Sequence, residues 1–236
     1  MALPKINSSP EFTVTVPSTG EKVDFRPYLV KEEKVLMLAF ESKDTAQATK
    51  AIGNTLNACA QNDGFNAFEL TTYDVEYIFT MLRTKSVGET SNIIIPCSEC
   101  EHKNDIVVDL EDVKIEDGTI KRDRVQLTQD ISVDMAYPQY GALMEISASG
   151  ETLQDSIAMI GTCIDSINTE SERFERSDFK KEELEEFLES LTTDQFTKLS
   201  EFLRDIPKLA HEVSFTCASC NHVNTTTLTG MQDFLS

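Results

Sequence analysis

The sequence predicts an α+β protein, a helical body with β-hairpins and a small ribbon-like module formed by two segments that lie far apart in the chain. Three observations lead there. Apolar residues recur at helical spacing through several stretches. Shorter alternating runs of strand character lie between them. The pattern C-x-x-C-x-H-x-N occurs twice, as CSECEHKN from residue 97 and CASCNHVN from residue 217. With 236 residues and 40% hydrophobic content, the chain is long enough to bury a sizeable core.

Residues 11–27, EFTVTVPSTGEKVDFRP, alternate apolar and polar side chains around Ser18, Thr19 and Gly20, which predicts a β-hairpin. Three helices follow in KEEKVLMLAFESKD, DTAQATKAIGNTLNACAQ and YDVEYIFTMLRTKS, the last with Val75, Ile78, Phe79 and Leu82 on one stripe. From Ser91 the pattern turns to strand: NIIIP enters the first C-x-x-C and DIVVDL leaves it. DVKIEDGTIKRDRVQL predicts a second hairpin turning at Asp117 and Gly118, and ISVDMAYP a strand closed by Pro138. Helices are expected around ALMEI and along ETLQDSIAMIGTCIDSI, then a polar loop with a short strand near Phe174. KKEELEEFLESL places Leu184, Phe187, Leu188 and Leu191 on one helical face. Thr192 and Gln195 have capping-box spacing for the next helix, which presents Phe196, Leu199, Phe202 and Leu203 and is stopped by Pro207. EVSFT then enters the second C-x-x-C and HVNTTTL leaves it.

A formal charge of −20 would repel a phosphate backbone, and no lysine or arginine cluster offsets it, so nucleic acid is not an expected partner. The densest charge run, KKEELEEFLE, is mainly acidic and reads as a solvated helix face. No apolar run reaches the roughly 20 residues that a membrane span needs. The stretch MALPKINSSPEF lacks the apolar segment of a signal peptide, and the expected compartment is a cytosol.

Six cysteines fall into two groups. Cys59 shares a helical face with Ile52 and Leu56, and Cys163 follows Ile157 and Ile160 at similar spacing, so both read as small buried hydrophobes. The other four form the two C-x-x-C pairs. A C-x-x-C turn between strands aims two thiolates at one point, which is half of a tetrahedral zinc site, and two halves give the ligand set Cys97, Cys100, Cys217 and Cys220. A redox pair would open a helix instead, and disulfides are unusual in a reducing cytosol. Two separate sites using His102 and His222 remain an alternative, but each would lack a fourth ligand, and both histidines are expected to lie outside the ligand shell or to face solvent.

Joining the halves closes a loop of more than a hundred residues. The closure cost grows by only about 0.6 kcal/mol per doubling of length, against structural zinc binding on the order of 10 kcal/mol. The expected organisation is therefore an N-terminal hairpin plus helices over residues 1–90, and a zinc-ribbon module over 91–236. In that module, segments 91–110 and 211–229 enclose an inserted α+β segment, 111–210, and the whole makes one continuous unit. Four thiolates leave no coordination position for water, so the zinc is expected to be structural. His102, His211 and His222 all lie near a C-x-x-C, and no G-x-x-x-x-G-K-[ST], H-E-x-x-H or G-x-S-x-G occurs, so no catalytic residues and no enzyme are expected.

Several stretches carry a family resemblance: VDFRPYLVKEEKVLMLAFES, YDVEYIFTMLRTKSVGE, EELEEFLESLTTDQFTKLSEFLRDIPKLAHEVSFTCASC and the closing LTGMQDFLS. In this order they resemble the baseplate hub subunits of T4-like contractile-tailed phages, over most of the chain. Glu101 and Asn221 stand where such knuckles often carry glycine. Asn tolerates a left-handed backbone better than Glu, so the first knuckle is expected to be the looser one. The resemblance implies a structural component or assembly factor of the baseplate central hub, found in the virion baseplate or in the host cytoplasm during assembly. It implies binding to other hub and tail proteins and no catalysis. The Arg26-Pro27-Tyr28 segment and residues 85–88 are candidate contacts, read first as a turn and a helix end. A transient hub or tail chaperone absent from the mature particle, a zinc-ribbon nucleic-acid regulator and a thiol oxidoreductase are the competing readings.

Overall fold

The computed structural model describes residues 10–42, 44–115, 123–146 and 153–235. The chain opens with the predicted hairpin, β1 (Phe12–Thr15) and β2 (Lys22–Phe25), in antiparallel register with Phe12 opposite Phe25. Its inward residues Val14, Val16, Val23 and Phe25 join the first core. Helices α1 (Val30–Glu41), α2 (Thr45–Cys59) and α3 (Thr72–Ser86) follow as the periodicity requires. Ile52, Leu56 and Cys59 of α2 meet Val75, Ile78, Phe79 and Leu82 of α3 in that same core.

Asp74 fastens the hairpin to α3. Its carboxylate is fully buried, accepts the Thr71 N–H and hydroxyl in a capping box, and also accepts the Ser18 N–H from the hairpin turn at 2.8 Å. Arg26 is likewise occupied inside the chain. It donates to Glu32 (2.9 Å), to the Ala58 carbonyl (3.0 Å) and to the Pro27 carbonyl (3.0 Å). Burial alone would raise the Glu32 carboxyl, but the hydrogen bonds from Arg26 and the Leu29 N–H outweigh it and hold it below its usual range.

Two hairpins form the ribbon: β3 (Thr90–Pro96) with β4 (Lys103–Asp109), and β10 (Leu209–Thr216) with β11 (Val223–Thr229). Between them in sequence lie β5 (Lys114–Ile115), β6 (Asp123–Gln126), β7 (Ser132–Met135), α4 (Leu153–Cys163), β8 (Ile164–Asn168), β9 (Arg173–Glu175), α5 (Lys181–Glu189) and α6 (Thr193–Arg204). Strands β6, β7, β8 and β9 pair in that order as one antiparallel sheet, which α4, α5 and α6 cover through Ile157, Ile160, Leu184, Leu188, Leu199 and Phe202. On the sheet's polar face Arg124 grips Asp134 with two hydrogen bonds (2.6 and 2.9 Å), and the fully buried Ser166 donates to the same carboxylate at 3.1 Å. The capping box of Thr192 and Gln195 starts α6 as expected.

Three expectations are corrected. The segment after the first knuckle is not one hairpin: β5 pairs with β10 while β6 pairs with β7, so its two flanks belong to different sheets, and the turn at Asp117 and Gly118 lies outside the described residues. The helix expected through Ile167 ends at Cys163, because Ile164 and Ile167 pair opposite Met135 and Val133 and pack into the second core as β8 takes the free edge of β7. ALMEI lies in a short 3₁₀ turn, Tyr140–Glu145, rather than an α-helix, and Gly141 sits so close to Phe68 that a Cβ would meet the Phe68 carbonyl at 3.1 Å.

The third core lies under the ribbon. Ile93, Val108, Val213 and Leu228 of the hairpins pack there with Leu110, Val113 and Leu209, and with Phe234 of the last helix, α7 (Met231–Leu235). Helix α3 touches all three cores: its stripe fills the first, Tyr73 belongs to the second, and Tyr77 packs against both the first and the third.

Because the Asp74 carboxylate accepts from both Ser18 and Thr71, Asp74→Ala leaves three half-buried donors without this partner. It is expected to lower the unfolding free energy by about 3 kcal/mol, read from urea or thermal denaturation.

Candidate metal centre

Each C-x-x-C turn is set by its hairpin. Beyond the last pair of β3 and β4, Pro96 opposite Lys103, the Cys97 N–H donates to the His102 carbonyl (2.9 Å) and the Glu101 N–H to the Cys97 carbonyl (2.9 Å). The second knuckle repeats this after Thr216 and Val223: the Cys217 N–H donates to the His222 carbonyl (2.8 Å) and the Asn221 N–H to the Cys217 carbonyl (3.0 Å). Glu101 and Asn221 both adopt the left-handed conformation, at φ 58° and 59°. The first knuckle is therefore no looser in its hydrogen bonds than the second, although Glu101 bears more backbone strain than an asparagine would.

The two turns meet face to face. Cys97 Sγ lies 3.7 Å from Cys220 Sγ and Cys100 Sγ lies 3.6 Å from Cys217 Sγ, and all four sulfurs lie within 4.8 Å of one another. Sulfurs placed about 2.3 Å from a central ion in a tetrahedron are about 3.8 Å apart, so the spacing fits one cation. Bonded sulfurs would be about 2.05 Å apart, and all four cysteines are free thiols here. Cys97 and Cys217 are buried, while Cys100 and Cys220 lie at the exposed rim. Both histidine side chains are exposed, and among the described residues the potential ligand group consists of the four sulfurs.

The electrostatics are uneven in a way that suits a cation. Burial would raise the Cys97 thiol, but the Glu99 and Cys100 N–H groups and the Asn224 amide bring it down to about 6. Backbone donation, first from Cys220, lowers Cys217 as well. The His222 N–H favours the Cys220 thiolate, yet crowding by Cys100, burial and the other two sulfurs push that thiol up to about 12. Cys100 is also raised: burial and its contacts with Cys217 and Cys97 outweigh the His102 N–H and the Cys220 contact that favour its thiolate. Four negative sulfurs in so small a volume repel one another strongly, and a bound cation removes that obstacle for all of them at once.

Two asparagines lock the halves together. Asn224 of the second knuckle accepts the Ser98 N–H (2.9 Å) and hydroxyl (3.0 Å) of the first, while its amide donates to Cys97 Sγ at 3.5 Å. Asn104 returns the exchange: it accepts the Ala218 N–H at 3.0 Å and directs its amide at Cys217 Sγ. Both are buried. The final N of each C-x-x-C-x-H-x-N is thus a brace across to the opposite turn, a role the cysteine-centred sequence reading missed. The signal was in the sequence, since Asn recurs at the same offset in both copies.

Residues 9–236 match the family model described as T4 bacteriophage base plate protein. The chain belongs to this baseplate family. No curated protein and no solved structure gives a significant match. The match spans nearly the whole baseplate protein, so the ribbon, the helical units and the sheet between them all fall within the family's shared region. Membership supports a structural role in the phage baseplate and binding to other phage proteins, and among the described residues no helix is long and apolar enough to cross a membrane.

Because Asn224 touches both a sulfur and the opposite backbone, Asn224→Ala is expected to weaken metal retention by about 10–100-fold while leaving the four cysteines in place, measured by competition with a chromophoric chelator.

Proposed function

We propose that this baseplate protein is a structural component or assembly factor of the central hub, acting by protein–protein binding and held rigid by one structural zinc ion on Cys97, Cys100, Cys217 and Cys220. The family match over residues 9–236 carries the baseplate part of this reading, and its narrowing to the hub rests on the sequence resemblance. Zinc is favoured because four thiolates at tetrahedral spacing suit a soft cation without a geometric preference of its own. A closed four-sulfur shell leaves no position for substrate, so the ion clamps and no reaction is assigned to it.

On this reading the chain is one structural unit, in which segments 91–110 and 211–229 form the clamped module and 111–210 is an excursion from it. The N-terminal hairpin and helices, residues 1–90, rest against that module through α3. The acidic body suits assembly with proteins rather than nucleic acid, in the virion baseplate or in the host cytoplasm during assembly.

Elemental analysis of the untagged protein is expected to give one zinc per chain. Cys217→Ser should abolish that stoichiometry and lower the melting temperature by 10 °C or more, on the order of several kcal/mol for a lost structural zinc. A metal-free, reducible wild type of unchanged stability would overturn the clamp. For the hub assignment, co-purification from infected cells should recover other hub and tail proteins. Mass spectrometry of purified particles should then find stoichiometric copies for a permanent part and none for a transient factor, and recovery of neither hub nor tail proteins would refute the assignment.

A further inference from the structure

Helix α1 is amphipathic on the inside only. It buries Glu32, Leu36 and Ala39 against the body, yet Val30 is 79% exposed, Met37 56% and Leu38 57% on the opposite side. Half of the large exposed hydrophobics among the described residues fall between Leu29 and Phe40. Apolar surface concentrated in this way marks a contact with another molecule.

The charges on that face identify the occupant. Val30, Lys34, Met37, Leu38 and Glu41 recur at i, i+4, i+7, i+8 and i+11, so they form a single outward stripe, and the exposed Lys34 and Glu41 flank Met37 and Leu38 on it. When two copies of this stripe are laid antiparallel with the twofold axis between Met37 and Leu38, Met37 and Leu38 of both copies meet at the centre. Each Lys34 then lies opposite Glu41 of the second copy, twice by symmetry. A second copy supplies the complement of this order of positive, apolar, apolar, negative without any further requirement.

We propose that the protein self-associates through α1, as an antiparallel helix pair centred on Met37 and Leu38 and keyed by reciprocal Lys34–Glu41 contacts. The charge of −20 on each copy does not forbid this, because at physiological salt charges more than about 8 Å apart are largely screened, whereas the contacts across the helix pair are closer. The pairing uses no residue of the metal centre and stands independently of the hub assignment.

The test is a charge-reversal cycle on the full-length, metal-loaded chain, read by sedimentation equilibrium at about 0.15 M salt, with circular dichroism to verify folding. Wild type is expected to dimerise. Lys34→Glu and Glu41→Lys, each on an exposed site, should raise the dimer dissociation constant roughly tenfold or more, since each creates two like-charge contacts. The double variant carrying both changes restores the order of charges in reverse and should return to within about threefold of wild type. A wild type that stays monomeric, whether the stripe is open, covered by residues 1–9 or reserved for another protein, overturns the proposal. So does a dimer indifferent to the single reversals, or a double variant no better than either single one.

Discussion

Two buried amides that trade places hold this fold together. Asn104 and Asn224 each donate to a carbonyl of their own turn, His102 and His222, and with the side-chain oxygen accept from backbone donors in the other, so neither knuckle completes its hydrogen bonding alone. Inside a protein such an exchange is costly to break, because separation would strand buried polar groups on both sides. The same meeting of the two hairpins brings the four sulfurs together and closes the core beneath them, where Phe234 of α7 packs.

That contact also builds one of the three hydrophobic clusters of the chain. The first cluster is built from local sequence, hairpin to helix to helix. The second gathers the middle sheet and its covering helices. The third exists only when residues near 93 and 108 meet those near 213, 228 and 234. Helix α3 lies at the junction of all of them, and the Asp74 side chain in its first turn is fully buried there, satisfied by Thr71 and Ser18.

Much of this was legible in the amino-acid order. Helical stripes such as Val75, Ile78, Phe79 and Leu82 specify which side of an element is buried, and a cap such as Thr192 with Gln195 specifies where it starts, because both depend on neighbours a few positions away. The paired C-x-x-C pattern pointed to the cluster of four sulfurs for the same reason: each half is a local turn. What escaped was non-local. Ile164 and Ile167 continue, after Ile157 and Ile160, an apolar pattern compatible with a helix, and only the free edge of β7 turns them into strand β8. Lys114 and Ile115 resemble half of a hairpin until β10, nearly a hundred positions later, pairs with them. The bracing by Asn104 and Asn224 stayed hidden because an asparagine beside a turn has an adequate local explanation.

Cys97 and Cys220 are separated by 123 positions. During synthesis, a ribosome that has finished the first knuckle must build the whole intervening region before its counterpart exists. Through that interval the nascent chain carries two unshared thiols and the apolar underside of a lone hairpin, exposed to chaperones, oxidants and competing metal. The hairpin and helices at the front can settle early, but the ribbon is completed last, so closure of the ribbon certifies that translation has run through to the second knuckle.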